Sequence, residues 1–171
     1  AKMAELGEQV PLYPFAYDRT HTSTELRAGE EALVADGVKV RFPGRIMAKR
    51  GTGKTLFVPI QDEWDQIQAY FRKDVLGEGS FQDLLDLIDL GDWLGIEGTL
   101  FRTRTGEVTV RVSSWELLAK SLRPLPMGKT EEDPETGERI THSGFTDVES
   151  RYRQRYADLA VHPEVREVFR A

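Results

Sequence analysis

The spacing of apolar residues changes near residue 38, from a helical period to an alternating one. Before that point, apolar side chains recur at helical spacing behind three possible capping residues at positions 22–24, and Gly37 ends the helix. After it, Val38, Val40 and Phe42 alternate with polar residues, a pattern typical of a half-buried strand. The chain is therefore expected to begin with an extended lead-in and a helix, and to continue as a sheet.

Further alternating segments predict that the sheet has five strands. We expect the first strand over 38–50, with a bend near Gly44, the second over 56–61 and the third over 67–71. Pro59 in the second strand cannot donate a backbone hydrogen bond, so it favours an edge strand or a bulge. Apolar residues at helical spacing predict a helix over 80–89. The last two strands, 93–104 and 107–118, flank a hairpin turn at Thr105 and Gly106.

The order of three strands, a helix and two strands is the element order of the OB-fold, a small barrel that binds oligonucleotides. The predicted fold is therefore mainly β: a five-stranded OB-fold barrel with a helix between strands 3 and 4, plus flanking helices. A generic β-barrel with an inserted helix would give the same pattern.

The chain after the barrel differs in character. Residues 121–126 are proline-rich and predicted to be extended, and 127–143 are polar without apolar periodicity. Helical spacing returns at 147–159, and Pro163 suits the first turn of another helix. We therefore divide the chain into a lead-in and helix (1–37), the barrel domain (38–126), a flexible linker (127–146) and the start of a further domain (147–171).

The charge distribution changes this picture only locally. The 171 residues carry a formal net charge of −6, whereas a nucleic-acid binder is usually basic. The positive charge is clustered, however, and a solvated face is the alternative explanation for such clusters. One cluster holds Arg45, Lys49, Arg50 and Lys54, and another holds Arg102, Arg104 and Arg111 with only Glu107 interrupting it.

Composition limits the other functional classes. There are no cysteines, which excludes disulfides and thiolate metal sites and is consistent with the cytoplasm, our expected location. The three histidines, His21, His142 and His162, have no ligand spacing, so no metal site is predicted. We find neither an apolar run that could span a bilayer nor a signal sequence, and we expect no membrane partner.

Several short segments, in a fixed order over most of the chain, resemble bacterial-type class II lysyl-tRNA synthetases. They are DRTHT (18–22), GRIMAKR (44–50), LGD (90–92), EGTLF (97–101), TRTGE (103–107), KSLRPLP (120–126) and RYRQRY (151–156). Aspartyl and asparaginyl enzymes share this kind of domain, but the KSLRPLP and RYRQRY segments favour the lysyl branch. The resemblance implies that the barrel reads the anticodon of a lysine tRNA, which is U-rich.

The resemblance also implies an anticodon-binding site. Phe57 corresponds to the residue that stacks on the central uridine, Arg50 and Gln68 to residues that hydrogen-bond it, and Glu107 to a carboxylate that contacts an anticodon base. Each has another reading: Phe57 could belong to the core, and the polar residues could be ordinary surface groups. Four further side chains, Arg45, Lys54, Arg102 and Arg104, are candidate phosphate contacts.

The chemistry of aminoacylation is not expected from these residues. A class II synthetase activates its amino acid with ATP and Mg²⁺ through arginine-bearing motifs that do not occur here, so we predict neither a catalytic residue nor a cofactor in this chain. Residues 147–171 are expected to be the truncated start of the catalytic domain of a homodimeric parent. The alternatives are a free-standing OB module for single-stranded nucleic acid or a protein partner, an aspartyl- or asparaginyl-type domain, and a purely structural barrel.

Overall fold

The computed structural model describes residues 13–123, 125–126, 129–132, 139–142 and 145–170. The chain divides into two compact units between Leu122 and Arg123. In the first unit the elements are α1 (Ser23–Ala28), α2 (Glu30–Ala35), β1 (Lys39–Ile46), β2 (Arg50–Thr52), β3 (Thr55–Gln61), β4 (Gln66–Arg72), α3 (Lys73–Leu76), α4 (Glu78–Asp86), β5 (Trp93–Arg102) and β6 (Val108–Ala119). In the second they are β7 (Lys129–Glu132), β8 (Arg139–His142), α5 (Val148–Arg153), α6 (Arg155–Val161) and α7 (Pro163–Arg170).

Five strands of the first unit close into a barrel. β1 pairs antiparallel with β5, β5 with β6, and β3 with β4, while β4 and β6 run parallel. The far end of β1 then pairs with β3, which completes the ring. Helices α3 and α4 lie between β4 and β5, the third and fourth strands of the barrel. The predicted OB-fold, with its helix between strands 3 and 4, is confirmed.

One detail of the predicted first strand and one of the predicted second strand differ from expectation. The predicted first strand stops at Ile46, and Arg50 starts a separate short strand, β2, that extends the sheet beside β3. The prediction of an edge or bulge at Pro59 was wrong, because β3 is paired on both sides and its register with β4 is regular. Pro59 lies between the part of β3 that pairs with β2 and the part that pairs with β1. Its carbonyl accepts a hydrogen bond from the Met47 amide at 3.0 Å.

The core fills the inside of the barrel and is covered at one end by α4. Strand residues alternate between buried and partly exposed, as the half-buried strand pattern requires. The largest fully buried side chains are Phe42, Phe71, Phe81, Leu26, Ile46, Ile60, Ile67, Leu84, Ile88, Leu94, Ile96 and Val40. The inward half of each strand therefore supplies the apolar burial that stabilises the fold, which leaves the outward half available for other roles.

Gly44 is paired with Leu94 of β5 and directly precedes the residues of β1 that also pair with β3. A Cβ atom at this position would be 2.5 Å from Ile60 Cγ2 and 2.7 Å from the Gln61 carbonyl oxygen. Neither neighbour can move freely, because one is a core side chain and the other is backbone in a paired strand. The barrel can close here only because residue 44 has no side chain.

A buried ion pair joins the end of β6 to the loop before β5. The Lys120 ammonium donates to Asp92 Oδ2 at 2.6 Å and to the Leu87 carbonyl at 2.7 Å. The second carboxylate oxygen of Asp92 accepts from the Ser121 amide at 2.7 Å. The Lys120 and Asp92 side chains are 5% and 0% exposed. Lys120 also pairs with the half-exposed Asp89 at 2.7 Å, whereas Asp92 has Lys120 as its one cation among the described residues.

The described residues of the second unit form a pair of antiparallel strands and three helices. Strands β7 and β8 pair antiparallel inside the segment predicted as a linker, whose role as a linker stays a prediction. In the helices, Asp158 is fully buried and accepts from Arg151 and His162. Burial alone would raise the pKa of Asp158, but these ion pairs outweigh it and hold that pKa below its usual value. Among the described helices, none is both long and apolar enough to cross a membrane.

Replacing Gly44 with alanine is expected to lower the free energy of unfolding by about 1–3 kcal/mol, the usual cost of forcing a side chain into a packed site. The measurement is urea denaturation followed by far-UV circular dichroism. Gly79→Ala is the matched control, since a Cβ at that helical position meets nothing within 4 Å. It should be neutral or stabilise by up to about 1 kcal/mol. Equal effects of the two substitutions would contradict the role of Gly44 in closure.

Replacing Lys120 with methionine is expected to cost about 3–5 kcal/mol of stability, because it leaves the Asp92 carboxylate buried without its cation. Lys39→Met is the control: the Lys39 side chain is 68% exposed and pairs with Glu97 at 3.2 Å. Loss of such an exposed pair should change stability by about 0–1 kcal/mol. Losses of similar size for both variants in urea denaturation would show that the Lys120 pair is not a structural constraint.

Candidate nucleic-acid interface

Two aromatic rings stack on the outer face of the barrel. Phe57 of β3 and Tyr70 of β4 are direct partners in the antiparallel ladder, and both point away from the core. Their ring centroids are 4.6 Å apart with an angle of 21° between the planes. Phe57 is partly exposed, so the structure places it on the outer surface and not in the hydrophobic core.

The aromatic surface continues across the next strands. Tyr70 contacts Phe101 of β5 with centroids 5.8 Å apart, and the guanidinium of Arg111 lies 4.8 Å from the centroid of Phe101. We call Phe57, Tyr70 and Phe101 the aromatic row. Single-stranded nucleic acids bind proteins largely by stacking bases on such rings, and a cation beside the rings adds attraction for the backbone. The row is therefore chemically suited to RNA or single-stranded DNA.

Arg50 lies next to the aromatic row. It is the cross-strand partner of Phe57 in the short β2–β3 ladder, and its side chain is exposed. Within the described part of the chain its guanidinium makes no side-chain hydrogen bond or ion pair. Its donors are therefore available to a group that approaches Phe57.

Gln68 lies two residues before Tyr70 on the same face of β4. Its Nε2 donates to the hydroxyl of Thr109 at 3.0 Å, and that hydroxyl in turn donates to the Glu107 carbonyl at 3.2 Å. Thr109 is fully buried, so this hydrogen bond fixes the orientation of the Gln68 amide. The amide oxygen makes no hydrogen bond within the described residues and can accept one from a ligand.

Glu107 ends the turn between β5 and β6. Its backbone amide donates to the Thr103 hydroxyl at 3.0 Å, and its carbonyl accepts from the Thr103 amide at 3.0 Å. The carboxylate is 36% exposed and lies 3.9 Å from the Arg27 guanidinium of α1. Arg27 also contacts Asp65 at 2.7 Å and the Gln66 carbonyl at 2.6 Å. The Arg27 guanidinium thus connects the β3–β4 turn with the β5–β6 turn.

Helix α1 is held in this position by one buried carboxylate. Asp62, at the end of β3, accepts from the Ser23 amide at 2.8 Å and from the Ser23 hydroxyl at 2.6 Å. The same carboxylate accepts from the amides of Trp64 and Asp65, so it also shapes the β3–β4 turn. Thr22 and Glu25 form a capping box at the start of α1. These contacts explain how Arg27 reaches Glu107.

The four candidate phosphate contacts separate into two kinds. Arg45 donates to the Gly91 carbonyl at 3.0 Å and lies over the Trp93 ring, and Arg102 forms an ion pair with the buried Glu30. Both are held by the fold. Lys54 and Arg104 are exposed and make no salt bridge within the described residues. Only the second kind has a charge that is free to meet a ligand.

The structure brings together Arg50, Phe57, Gln68 and Glu107, and it adds neighbours that we did not predict. Tyr70, Phe101, Arg111 and Arg27 complete the surface. The alternation of β4 contains a signal for Tyr70, because a residue two places after Gln68 must lie on the same face. Arg27 has no such signal, since α1 is brought to this place by contacts with residues distant in sequence. These contacts are the hydrogen bonds of Ser23 to Asp62 and the burial of Leu26 in the core. Among the described residues, no group of three or more histidine, aspartate or glutamate side chains could hold a metal ion.

Comparison with known proteins agrees with this geometry. Residues 40–118, which are the barrel strands and the helices between them, match the tRNA anticodon family described as an OB-fold nucleic acid binding domain. Lysine–tRNA ligases match most or nearly all of the chain. The one from Carboxydothermus hydrogenoformans is 46% identical over 98% of the chain, that from Christiangramia forsetii 46% over 87%, and that from Xylella fastidiosa 43% over 99%.

The chain spans about a third of the length of these curated relatives, namely 31%, 26% and 32% of the three proteins. Their similarity extends beyond the barrel into the second unit, since it covers nearly all of the 171 residues. The match to the barrel family and the match to the ligases both include the barrel strands. The chain therefore belongs to the lysine–tRNA ligase family, as an N-terminal anticodon-binding domain of the OB-fold type.

Proposed function

We propose that the outer face of the barrel recognises the U-rich anticodon of a lysine tRNA, with the central uridine stacked on Phe57. The observation that carries the proposal is the Phe57–Tyr70 stack, with Arg50 beside it and the fixed amide of Gln68 two residues away along β4. A base on the open face of Phe57 would lie within reach of both polar side chains.

The hydrogen-bonding groups fit a uracil edge, which offers two carbonyl acceptors and one N–H donor. The Arg50 guanidinium supplies donors to a carbonyl, and the free Oε1 of Gln68 accepts from the N–H. Cytosine carries an acceptor in place of this N–H and an amino group in place of one carbonyl. Because Thr109 holds the Gln68 amide, the amide cannot turn over to suit cytosine without losing a hydrogen bond.

The remaining groups serve a second base and the backbone. The Glu107 carboxylate can accept from the N–H of a neighbouring anticodon base, and Arg27 keeps it beside the aromatic row. The exposed cations Arg104 and Arg111 provide local positive charge in a chain whose net charge is −6. Binding to phosphates through such cations is insensitive to sequence and weakens with salt.

The proposal extends to the whole protein of which this domain is a part. We propose that this protein joins lysine to its tRNA with ATP and Mg²⁺, acts as a homodimer and works in the cytoplasm. The described residues of the present chain supply the recognition of tRNA. The ligation chemistry belongs to residues outside this domain.

The first test is to measure binding of the chain to a lysine tRNA anticodon stem-loop, against the same stem-loop with its central uridine changed to cytidine. We expect the cytidine loop to bind about 5- to 150-fold more weakly, because a mismatched edge leaves a buried polar group without a partner, a loss of about 1–3 kcal/mol. Fluorescence anisotropy at a fixed salt concentration gives both affinities.

Equal binding to both loops would leave only contacts to phosphate and would overturn base recognition by Arg50 and Gln68. Failure to bind either loop would contradict anticodon binding by this chain and favour a structural role for the barrel.

Replacing Phe57 with alanine is expected to weaken binding of the uridine stem-loop by about 1–3 kcal/mol, the worth of one stack between a base and an aromatic ring. Phe15→Ala is the matched control, because Phe15 is fully exposed in the segment before α1, outside the barrel strands. Unfolding curves for both variants check that the fold is intact. A folded Phe57→Ala protein with unchanged affinity for the uridine stem-loop would contradict the stacking of a base on Phe57.

A further inference from the structure

An open cleft of about 740 Å³ lies beside the aromatic row, at the end of the barrel where α3 begins. Its lining residues are Lys54, Thr55, Tyr70, Arg72, Lys73, Asp74, Gly77 and Glu78. They come from the β2–β3 turn, the strands β3 and β4, and the helices α3 and α4. The resemblance implies a role for none of them, and Lys54 is a candidate phosphate contact by its charge.

The shape of the cleft is fixed by backbone contacts. The Lys73 amide donates to the Lys54 carbonyl at 3.0 Å, which ties the β2–β3 turn to the start of α3. Gly77 joins α3 to α4 with φ of +81°, a conformation that favours glycine. The two walls therefore keep their separation without a ligand.

Two of the three cations that line the cleft are paired with carboxylates. Arg72 pairs with Asp74, and Lys73 pairs with Glu78 at 2.6 Å. The hydrogen bond from Lys73 lowers the pKa of Glu78, and the Glu78 carboxylate offsets the charge of the lysine beside it. Of the cations lining the cleft, Lys54 alone makes no ion pair to a described residue. The site therefore offers one uncompensated positive charge.

The cleft is continuous with the proposed base site. Tyr70, on which Phe57 stacks, also lines the cleft. The Thr55–Arg72 pair of the ladder lies two residues from the Phe57–Tyr70 pair, a distance of about 7 Å along the strands. A nucleic-acid strand that leaves Phe57 in this direction enters the cleft directly.

We propose that this cleft is a second nucleotide subsite, which holds the nucleotide adjoining the base on Phe57 and binds its bridging phosphate through Lys54 Nζ. The inference rests on the proposed function and extends it from one base to a dinucleotide. The single free cation matches the single charge of a phosphodiester. A nucleoside di- or triphosphate would bring several negative charges against that one cation, beside the carboxylates of Asp74 and Glu78, so a free nucleotide is a poorer fit.

The test compares Lys54→Ala with Lys39→Ala, which removes the same charge from an exposed lysine outside the cleft. Affinity for the uridine stem-loop is measured over a range of salt concentrations. Lys54→Ala should bind roughly tenfold more weakly, as expected for loss of a charge-assisted hydrogen bond. The slope of log affinity against log salt should become shallower by about 0.7, the value for one phosphate of a single strand. Lys39→Ala should behave like the unmodified protein.

A second series locates the phosphate. Neutral methylphosphonate linkages are placed one at a time on either side of the central uridine. One of them should weaken binding to the unmodified protein and abolish the difference between that protein and Lys54→Ala. If Lys54→Ala weakens binding of every such RNA equally, the lysine acts only through diffuse charge, and the subsite is overturned.

Failures of the two proposals give different results. Loss of the preference for uridine over cytidine in the unmodified protein would overturn the proposed function. A preserved preference, together with Lys54→Ala binding like the unmodified protein, would overturn only the cleft. The preference itself should persist in Lys54→Ala, because a phosphate contact carries no information about the base.

Discussion

The closure of the barrel at Gly44 is the constraint on which the rest of the structure depends. The end of β1 is paired with β5 and with β3 at the same time, and β1 approaches β3 too closely at residue 44 for any side chain. Closure removes the free edges of the sheet and curves it. The curved outer face carries Phe57, Tyr70 and Phe101, one aromatic residue from each of three strands. The ring of Tyr70 contacts both of the others.

Several charged residues of the barrel unit stabilise the fold, which the amino-acid composition does not show. Lys49 donates to the carbonyls of Leu84, Leu85 and Ile88 at the end of α4, and Lys120 is buried against Asp92. Arg102 is neutralised by Glu30. The basic clusters seen in the sequence are therefore mixtures, in which some members stabilise the fold and others remain free at the surface. This division places free positive charge beside the aromatic row in a chain that is acidic overall.

The proposed base site and the proposed phosphate subsite share Tyr70, so the geometry of both sites depends on the pairing of β3 with β4. Because Phe57 and Tyr70 are register partners, the stack is as rigid as the pairing of β3 with β4. The hydrogen bond from Gln68 to Thr109 crosses the parallel pairing of β4 with β6 in the same way. Side chains held by strand register lose little freedom on binding, which favours discrimination between bases that differ only in their hydrogen-bonding edge.

The sequence by itself determined the order of strands and helix along the chain, because alternation, helical spacing and turn residues are local properties of the chain. The resemblance of its short segments to known enzymes indicated the family. The sequence also placed Arg50, Phe57 and Gln68 in strands, through the resemblance. Tertiary structure decided which charges are free, that Pro59 lies in an interior strand, and that Arg27 stands beside Glu107. These three features depend on contacts between residues that are distant in sequence. The spacing of residues along the chain does not reveal such contacts.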